Sequence, residues 1–244
     1  MFFVMVSVMY VAAAILTSYR SRLRNWPISR YTFWIFGVLC SGTAIIAPMV
    51  MRTRMNFTTH MIGHLLLGML GPLLIVLSAP VTLFLRTLNV NLARFCSRIL
   101  KSWPVHLMSH PVTASFLDMG GLWVLYTTGF YAAMQENLFL HILVDFHVFF
   151  AGYLFSASMI YIDPTPHQTS FLYRAVVLVA ALSGHAILSK YIYIHPPENV
   201  PVTEAETGGM LMYYGGDIID MILIGVLCYQ WYKNTRPRGL AVDQ

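Results

Sequence analysis

Seven long apolar stretches run through the 244-residue chain and leave little polar sequence between them. They lie at residues 2–18, 31–50, 59–83, 111–133, 140–162, 173–194 and 210–232. Most have about 20 residues or more, the length of helix that crosses the hydrocarbon core of a bilayer. The pattern predicts an all-α fold, a polytopic helix bundle of about seven transmembrane helices that forms one domain over residues 1–244.

The scarcity of charge excludes an ordinary soluble domain. Only 10% of the residues are charged and 57% are hydrophobic, whereas a soluble domain carries about a quarter charged residues. A surface with so little charge cannot face water, so the lipid bilayer is the expected surroundings. The net charge of +5 does not indicate nucleic acid as a partner, because the basic residues follow the pattern of membrane loops.

The basic residues predict the orientation. If all seven stretches cross the membrane, twelve of the fifteen Lys and Arg residues lie on one side. The other side carries Arg52, Arg54 and Lys190 only. Positive charge favours the cytoplasmic side, so the N-terminus is expected outside and the C-terminus in the cytoplasm. Within the stretch 59–83, Pro72 and Pro80 predict a kink or a broken turn.

Ionisable side chains inside a membrane are costly and mark functional sites by default. Those toward the predicted outer side are His60, His64, His141, Asp145, His147, His185, Asp217 and Asp220. His60 and His64 are four residues apart, as are His141 and Asp145, so each pair shares a helix face. The spacing predicts two polar faces near the outside of the bundle.

Depth in the membrane selects a smaller set. At about 1.5 Å of rise per residue, four groups from four stretches fall roughly 8–14 Å below the outer surface: His64, His147, His185 and Asp217. Because none of them can face lipid cheaply, we expect them to converge inside the bundle. Three further histidines, His106, His110 and His167, belong to cytoplasmic loops, and Asp118 is expected to be a buried structural carboxylate.

Imidazole-rich sites suit zinc, copper, iron and nickel, and thioether sulfur favours cuprous copper. Methionines lie toward the same side at positions 49, 51, 55, 61, 134, 210 and 212. The residues therefore predict a copper site, with copper in the cuprous state. The expected ligands are His60, His64, His147 and His185, with Asp217 tuning or orienting them; His141 and Asp145 are further candidates.

Other functions fit the same histidines. Two imidazoles on facing helices also hold haem, so a b-type haem protein or a quinone-linked electron carrier is an alternative. A structural accessory subunit is another, and a copper permease would need a polar path to the cytoplasm. The chain has no GxSxG, P-loop or HExxH motif and no pair of nearby cysteines. We expect no enzymatic activity.

The stretch 57–67, FTTHMIGHLLL, and the following 71–86, GPLLIVLSAPVTLFLR, resemble the signature of the CtaG family. Members of this family are assembly factors of caa-type cytochrome c oxidase. Weaker resemblances continue in the family's order through residue 235, among them His110-Pro111 and the segment 207–217. The resemblance covers roughly residues 50–235.

The resemblance implies a multi-pass protein of the bacterial cytoplasmic membrane that supplies copper to a maturing oxidase. Its partners would be cytochrome c oxidase subunits and a periplasmic copper donor. The family histidines correspond to His60, His64, His147 and His185. The chain departs from the family at Tyr126, where many members have histidine, and at Asp217, where glutamate is common. It also has Glu-Ala-Glu at 204–206, where many members have a carboxylate followed by Gln.

Overall fold

The computed structural model describes residues 2–19, 25–51 and 56–236, which form helices and connecting loops without strands. The helices are α1 (Phe2–Ser18), α2 (Ile28–Met51), α3 (Phe57–His64), α4 (Gly71–Leu77), α5 (Pro80–Thr87), α6 (Val90–Leu100), α7 (Trp103–Met108), α8 (Pro111–Thr127), α9 (Phe130–Glu136), α10 (Leu138–Met159), α11 (Phe171–Ile194) and α12 (Val202–Thr235). A π-helical segment, Leu65–Leu70, joins α3 to α4 without interruption.

Four stretches in the described part of the chain are long and apolar enough to cross a membrane: Phe57–Leu77, Leu138–Met159, Phe171–Ile194 and Val202–Thr235. A shorter apolar helix covers Phe3–Ser18. The prediction of an all-helical membrane protein is therefore confirmed. The count of seven spans and the orientation stay predictions, and six of the arginines behind the orientation, at 20, 22, 24, 52, 54 and 238, lie outside the described residues.

The predicted break at Pro80 is present. Ser78 and Ala79 separate α4 from α5, and Ala79 is left-handed, with φ 56°. The Tyr10 hydroxyl of α1 donates to the carbonyl of Ser78 at 2.7 Å. Asp163 accepts hydrogen bonds from the backbone N–H groups of Val81 and Thr82, which begin the new helix. Burial raises the pKa of the Asp163 carboxyl, while these hydrogen bonds oppose the rise.

Pro72 lies inside a helix that continues past it, so the break in the stretch 59–83 occurs at Pro80 and not at Pro72. A proline clashes with the carbonyl four residues earlier, which is that of Gly68, and cannot donate to it. The clash and the missing hydrogen bond fall in the π-helical segment, whose turn is wider than that of an α-helix. A Cβ at Gly152 of α10 would collide with the Gly68 carbonyl, so the two helices touch backbone to backbone at this point.

Two of the three apolar clusters among the described residues lie one above the other, and the third packs α1 against α5. We call the end where α3 begins and α11 ends the upper end. The upper cluster includes Phe57, Leu122 and Leu188, and the lower includes Leu73, Phe155 and Leu223. Helix α12 packs along α11 and against α3, while α10 packs on α8 and α4. The continuous helix from α3 to α4, together with α11 and α12, passes from the upper cluster to the lower one.

Two predicted boundaries differ from the structure. The stretch 111–133 is divided between α8 and α9 at Thr128 and Gly129. Helix α12 begins at Val202, eight residues before the predicted 210, because its polar first turns are held by tertiary contacts. Among these, Glu204 accepts a hydrogen bond from the backbone N–H of Phe57 at 2.7 Å. This bond ties the start of α12 to the start of α3.

Candidate metal site

Three imidazoles follow one another down the interior. His60 and His64 share a face of α3, and His185 of α11 lies next to His64. His64 is 5% exposed and His185 is 3% exposed. Their ring centres lie 6.2 Å apart. The ring planes are 27° apart. Two imidazoles that hold one ion in a linear arrangement have ring centres about 6 Å apart, since a metal–nitrogen bond is about 2 Å and the ring centre lies roughly 1 Å behind the nitrogen.

Three of the four ring nitrogens of these two histidines have no hydrogen-bond partner among the described residues. Both ring nitrogens of His64 and Nε2 of His185 are buried without a hydrogen-bond partner. An unpaired polar group in an apolar interior costs free energy, and most buried polar groups have partners. Along their helices, both histidines lie between residues of the upper and the lower apolar clusters. The arrangement leaves nitrogen lone pairs ready for a ligand.

His60 contacts the residue at which the chain departs from its family resemblance. Nε2 of His60 and the Tyr126 hydroxyl of α8 are 3.1 Å apart. Tyr126 is only 2% exposed, and its ring also lies edge-on to that of His64. A histidine at position 126 would therefore bring a further imidazole to the same group. Sequence reasoning noticed this position but did not place it among the site residues.

A glycine on α12 makes room for His185. A Cβ at Gly216 would lie 2.6 Å from Cε1 and 3.1 Å from Nδ1 of the His185 ring. Any larger residue would force the imidazole to move. The close approach of α12 to α11 at Gly216 thus fixes where His185 stands.

His147 is not brought into this group. Its side chain is exposed on the bundle surface, where Nε2 lies 3.2 Å from the Leu117 carbonyl of α8. Gly121 provides the space beside its ring. His141 and Asp145 form a half-buried pair, with Nε2 and Oδ2 3.6 Å apart. His141 is close enough to His60 for their charges to interact, so this pair borders the imidazole group from the side.

The two aspartates of α12 have opposite surroundings. Asp217, the predicted partner of the histidines, is exposed, whereas Asp220 is 6% exposed and faces the interior. Asp220 shares a small cavity with His185 and Asp118 of α8. Asp118 is buried, as expected, and it has a polar neighbour, Asp220, at the same depth in the bundle. Both Asp118 and Asp220 were missed as site residues.

The methionines and the loop histidines lie elsewhere. Met61, Met134 and Met212 are fully buried in the upper apolar cluster, and Met210 is exposed. Met55 lies outside the described residues, as do the side chains at positions 49 and 51. At the lower end the rings of His106 and His167 are 4.1 Å apart. These loop histidines are separate from the imidazole group, as predicted.

The described side chains do not form a preorganised three-ligand cage. Within residues 2–19, 25–51 and 56–236, no three His, Cys, Asp or Glu side chains are grouped closely enough to hold one metal ion. The buried imidazoles offer a pair, His64 and His185, with His60 one turn above. Any ion bound here has few protein ligands unless the side chains turn toward it.

These features define a helical membrane protein with a buried, unpaired imidazole group near one end of its bundle. The sequence model of the cytochrome c oxidase caa3 assembly factor family, CtaG, matches residues 8–234. The chain belongs to this family.

Among curated proteins, the chain is similar to an uncharacterised protein of Mycobacterium leprae, with 30% identity over 90% of this chain. It is also similar to an uncharacterised protein of Mycobacterium bovis, with 26% identity over 92% of this chain. The match covers 37% of each relative, so the chain spans little more than a third of their length. No solved structure matches the chain.

Proposed function

We propose that this protein binds cuprous copper and delivers it to a maturing haem–copper cytochrome c oxidase. The observation that carries the proposal is the pair His64 and His185, whose buried nitrogens have no partner in the protein and whose rings are spaced for one shared ion. His60, with Tyr126, lies one turn above and provides a first contact for an arriving ion. Membership of an oxidase assembly family supplies the context.

The chemistry of the site favours copper over harder ions. Neutral imidazoles in an apolar setting suit a soft monovalent ion better than a dication, which needs more ligands and more compensating charge. A site with few ligands also releases its ion readily, as delivery requires. The upper apolar cluster includes three buried methionines, Met61, Met134 and Met212, whose side chains are apolar and polarisable.

The proposed setting follows from the arrangement of charge along the chain. The upper end carries the imidazoles, and the predicted orientation places this end on the periplasmic side of a bacterial cytoplasmic membrane. A periplasmic donor would load His60 first, and an oxidase subunit would receive the ion at the same face. No reaction with turnover is needed, so the protein acts as a metallochaperone.

Haem is less well supported. The cavity beside His185 has a volume of about 20 Å³, enough for a water molecule but far too small for a porphyrin. A much larger cleft, of about 1100 Å³, runs along the bundle, but His141 is the one histidine among its lining residues. Neither of these two cavities therefore matches a haem held by two histidines.

The test is genetic and uses matched variants. Deletion of the gene should lower oxidase activity in limiting copper, and added copper should restore it. Wild-type protein should complement the deletion, His64→Ala/His185→Ala should not, and His147→Ala should complement fully. Immunoblots of the membrane fraction establish equal amounts of each variant. Full complementation by His64→Ala/His185→Ala would contradict copper delivery and favour a structural accessory subunit, whose mark is fixed stoichiometry with the mature oxidase.

A further inference from the structure

Helix α6 is amphipathic, and none of its residues is buried. It packs on its neighbours along the chain, α5 and α7, at the lower end of the bundle. Its apolar side chains recur at intervals of three and four residues and so form one stripe: Leu92, Phe95, Cys96, Ile99 and Leu100. A helix with this pattern lies at the boundary between lipid headgroups and hydrocarbon.

The opposite face of α6 is basic. Arg94 and Arg98 are exposed and four residues apart, and Lys101 follows at the end of the helix. The first 117 residues of the chain contain no Asp or Glu. Among the residues that the structure describes, these three side chains form no ion pair. Uncompensated positive charge beside an apolar stripe matches a lipid whose headgroup is negative.

The apolar stripe of α6 borders the large cleft of about 1100 Å³. Cys96, Ile99 and Leu100 line the lower end of this cleft. Along α10 its lining extends from Leu138 to Tyr153, which corresponds to about 22 Å of helix. The cleft opens onto the surface of the bundle, because several of its lining side chains are exposed: Phe84, Phe146 and Phe150. Its length, its apolar lining and its opening suit acyl chains that enter from the bilayer.

The polar groups around the cleft indicate which end takes the headgroup. His141 and Asp145 line the upper end as a pair, so they offer no net positive charge to a phosphate. The basic face of α6 stands at the lower end. One leaflet provides about 15 Å of hydrocarbon, half of the core of a bilayer. The acyl chains of a lipid held at the lower end therefore stop short of His141 and Asp145.

We infer that the cleft between α2, α5, α6 and α10 binds one anionic phospholipid from the leaflet at the lower end. Its acyl chains lie along α10, and Arg94 and Arg98 hold its phosphate. The lipid covers the apolar stripe of α6 and bridges this helix to α10. The site is remote from the buried imidazoles and does not depend on the copper proposal.

Native mass spectrometry of the full chain tests the charge preference. Delipidated protein in detergent is titrated with phosphatidylglycerol or with phosphatidylcholine of the same acyl chains. Wild type should retain about one phosphatidylglycerol per chain and bind it about tenfold more tightly than phosphatidylcholine. Arg94→Gln/Arg98→Gln should lose this preference. Lys233→Gln/Arg236→Gln, which removes two exposed basic side chains at the lower end of α12, should keep it.

A second pair of variants tests the cleft itself. Cys96→Trp places a large ring in the lower end of the cleft and should abolish retention of phosphatidylglycerol. Cys228→Trp changes an exposed cysteine of α12 in the same way and should retain the lipid as wild type does.

Thermal unfolding separates lipid binding from folding. Because Arg94 and Arg98 are exposed, Arg94→Gln/Arg98→Gln should melt at the wild-type temperature in lipid-free detergent. Phosphatidylglycerol should then raise the melting temperature of wild type and not that of the variant. Equal affinity of wild type for the two lipids would overturn the inference. So would a preference that persists in Arg94→Gln/Arg98→Gln, or full retention of phosphatidylglycerol by Cys96→Trp.

Discussion

The interior and the surface of this bundle hold the same kinds of polar residue in different surroundings. His185 and Asp220 are buried between helices, whereas His147 and Asp217 are exposed. Both histidines lie beside a glycine, Gly216 for His185 and Gly121 for His147. Yet His147 has the Leu117 carbonyl as a partner, and Nε2 of His185 has none. The two histidines share a residue type and a predicted depth, and so do the two aspartates. The helix face on which each lies therefore decides which of the two is available to a buried ligand.

The largest difference between interior and surface should appear in copper content. His64→Ala/His185→Ala removes both unpartnered imidazoles, so bound cuprous copper should fall from about one ion per chain to background. His147→Ala should retain the wild-type amount. Copper is measured by mass spectrometry on protein purified after anaerobic loading. A marked loss of copper in His147→Ala would indicate that copper binds at the bundle surface.

The paired glycines offer the next largest effect. Gly216→Ala places a Cβ against the His185 ring, and the crowding should cost about 1–3 kcal/mol of unfolding free energy and weaken copper binding. Gly121→Ala crowds His147, whose exposed ring can swing away, so its cost should be within about 0.5 kcal/mol. Thermal unfolding in detergent and competition with a cuprous chelator measure both quantities. Equal losses in the two variants would show that His147 is as constrained as His185.

Substitutions at Tyr126 should change copper affinity more moderately, either by removing a hydrogen bond or by adding an imidazole. Tyr126→Phe removes the hydrogen bond to His60 and should change copper affinity by about 1 kcal/mol, or roughly fivefold. Tyr126→His adds an imidazole beside His60 and should hold copper more tightly against the chelator. Tyr214, which is 65% exposed, serves as the control through Tyr214→Phe and Tyr214→His. Weaker retention by Tyr126→His than by wild type would place position 126 outside the copper site.

The smallest expected effect concerns Asp217, which the sequence predicts to tune the histidines. Because its side chain is exposed, Asp217→Asn should leave copper affinity unchanged within about twofold. The same chelator competition measures it. A tenfold loss of copper affinity would show that Asp217 belongs to the copper site and would indicate that α12 rotates when copper binds.

Most of the helical architecture could be predicted from apolar length alone. Long spans such as α10 and α11 begin and end within two or three residues of their predicted limits. The start of α12 could not be predicted in this way, because its first two turns are polar and depend on Glu204 bonding to Phe57. The break at Pro80 was predictable, whereas the π-helical accommodation of Pro72 depends on contact between two backbones.

The site could be predicted in part. The four-residue spacing of His60 and His64 placed both on one face, and His185 followed from depth. Depth could not distinguish Asp217 from Asp220, but helical periodicity could have done so. The buried positions of α12 recur at three- and four-residue intervals: Gly209, Met212, Gly216, Asp220, Leu223 and Leu227. His147 lies beside the buried face of α10, which Val144 and Ala151 form. The sequence pattern does not show whether His147 belongs to this face, and only the packing of α10 against α8 decides it.

The central claim is that buried imidazoles of α3 and α11 hold cuprous copper. X-ray absorption spectroscopy of the copper-loaded protein tests it most directly, because scattering from imidazole rings is distinct from that of sulfur. We expect a cuprous edge and a first shell of nitrogen from two or three imidazoles, with no sulfur. A shell dominated by sulfur, from methionine or cysteine, would contradict it. An unchanged amount of bound copper in His64→Ala/His185→Ala would contradict it as well.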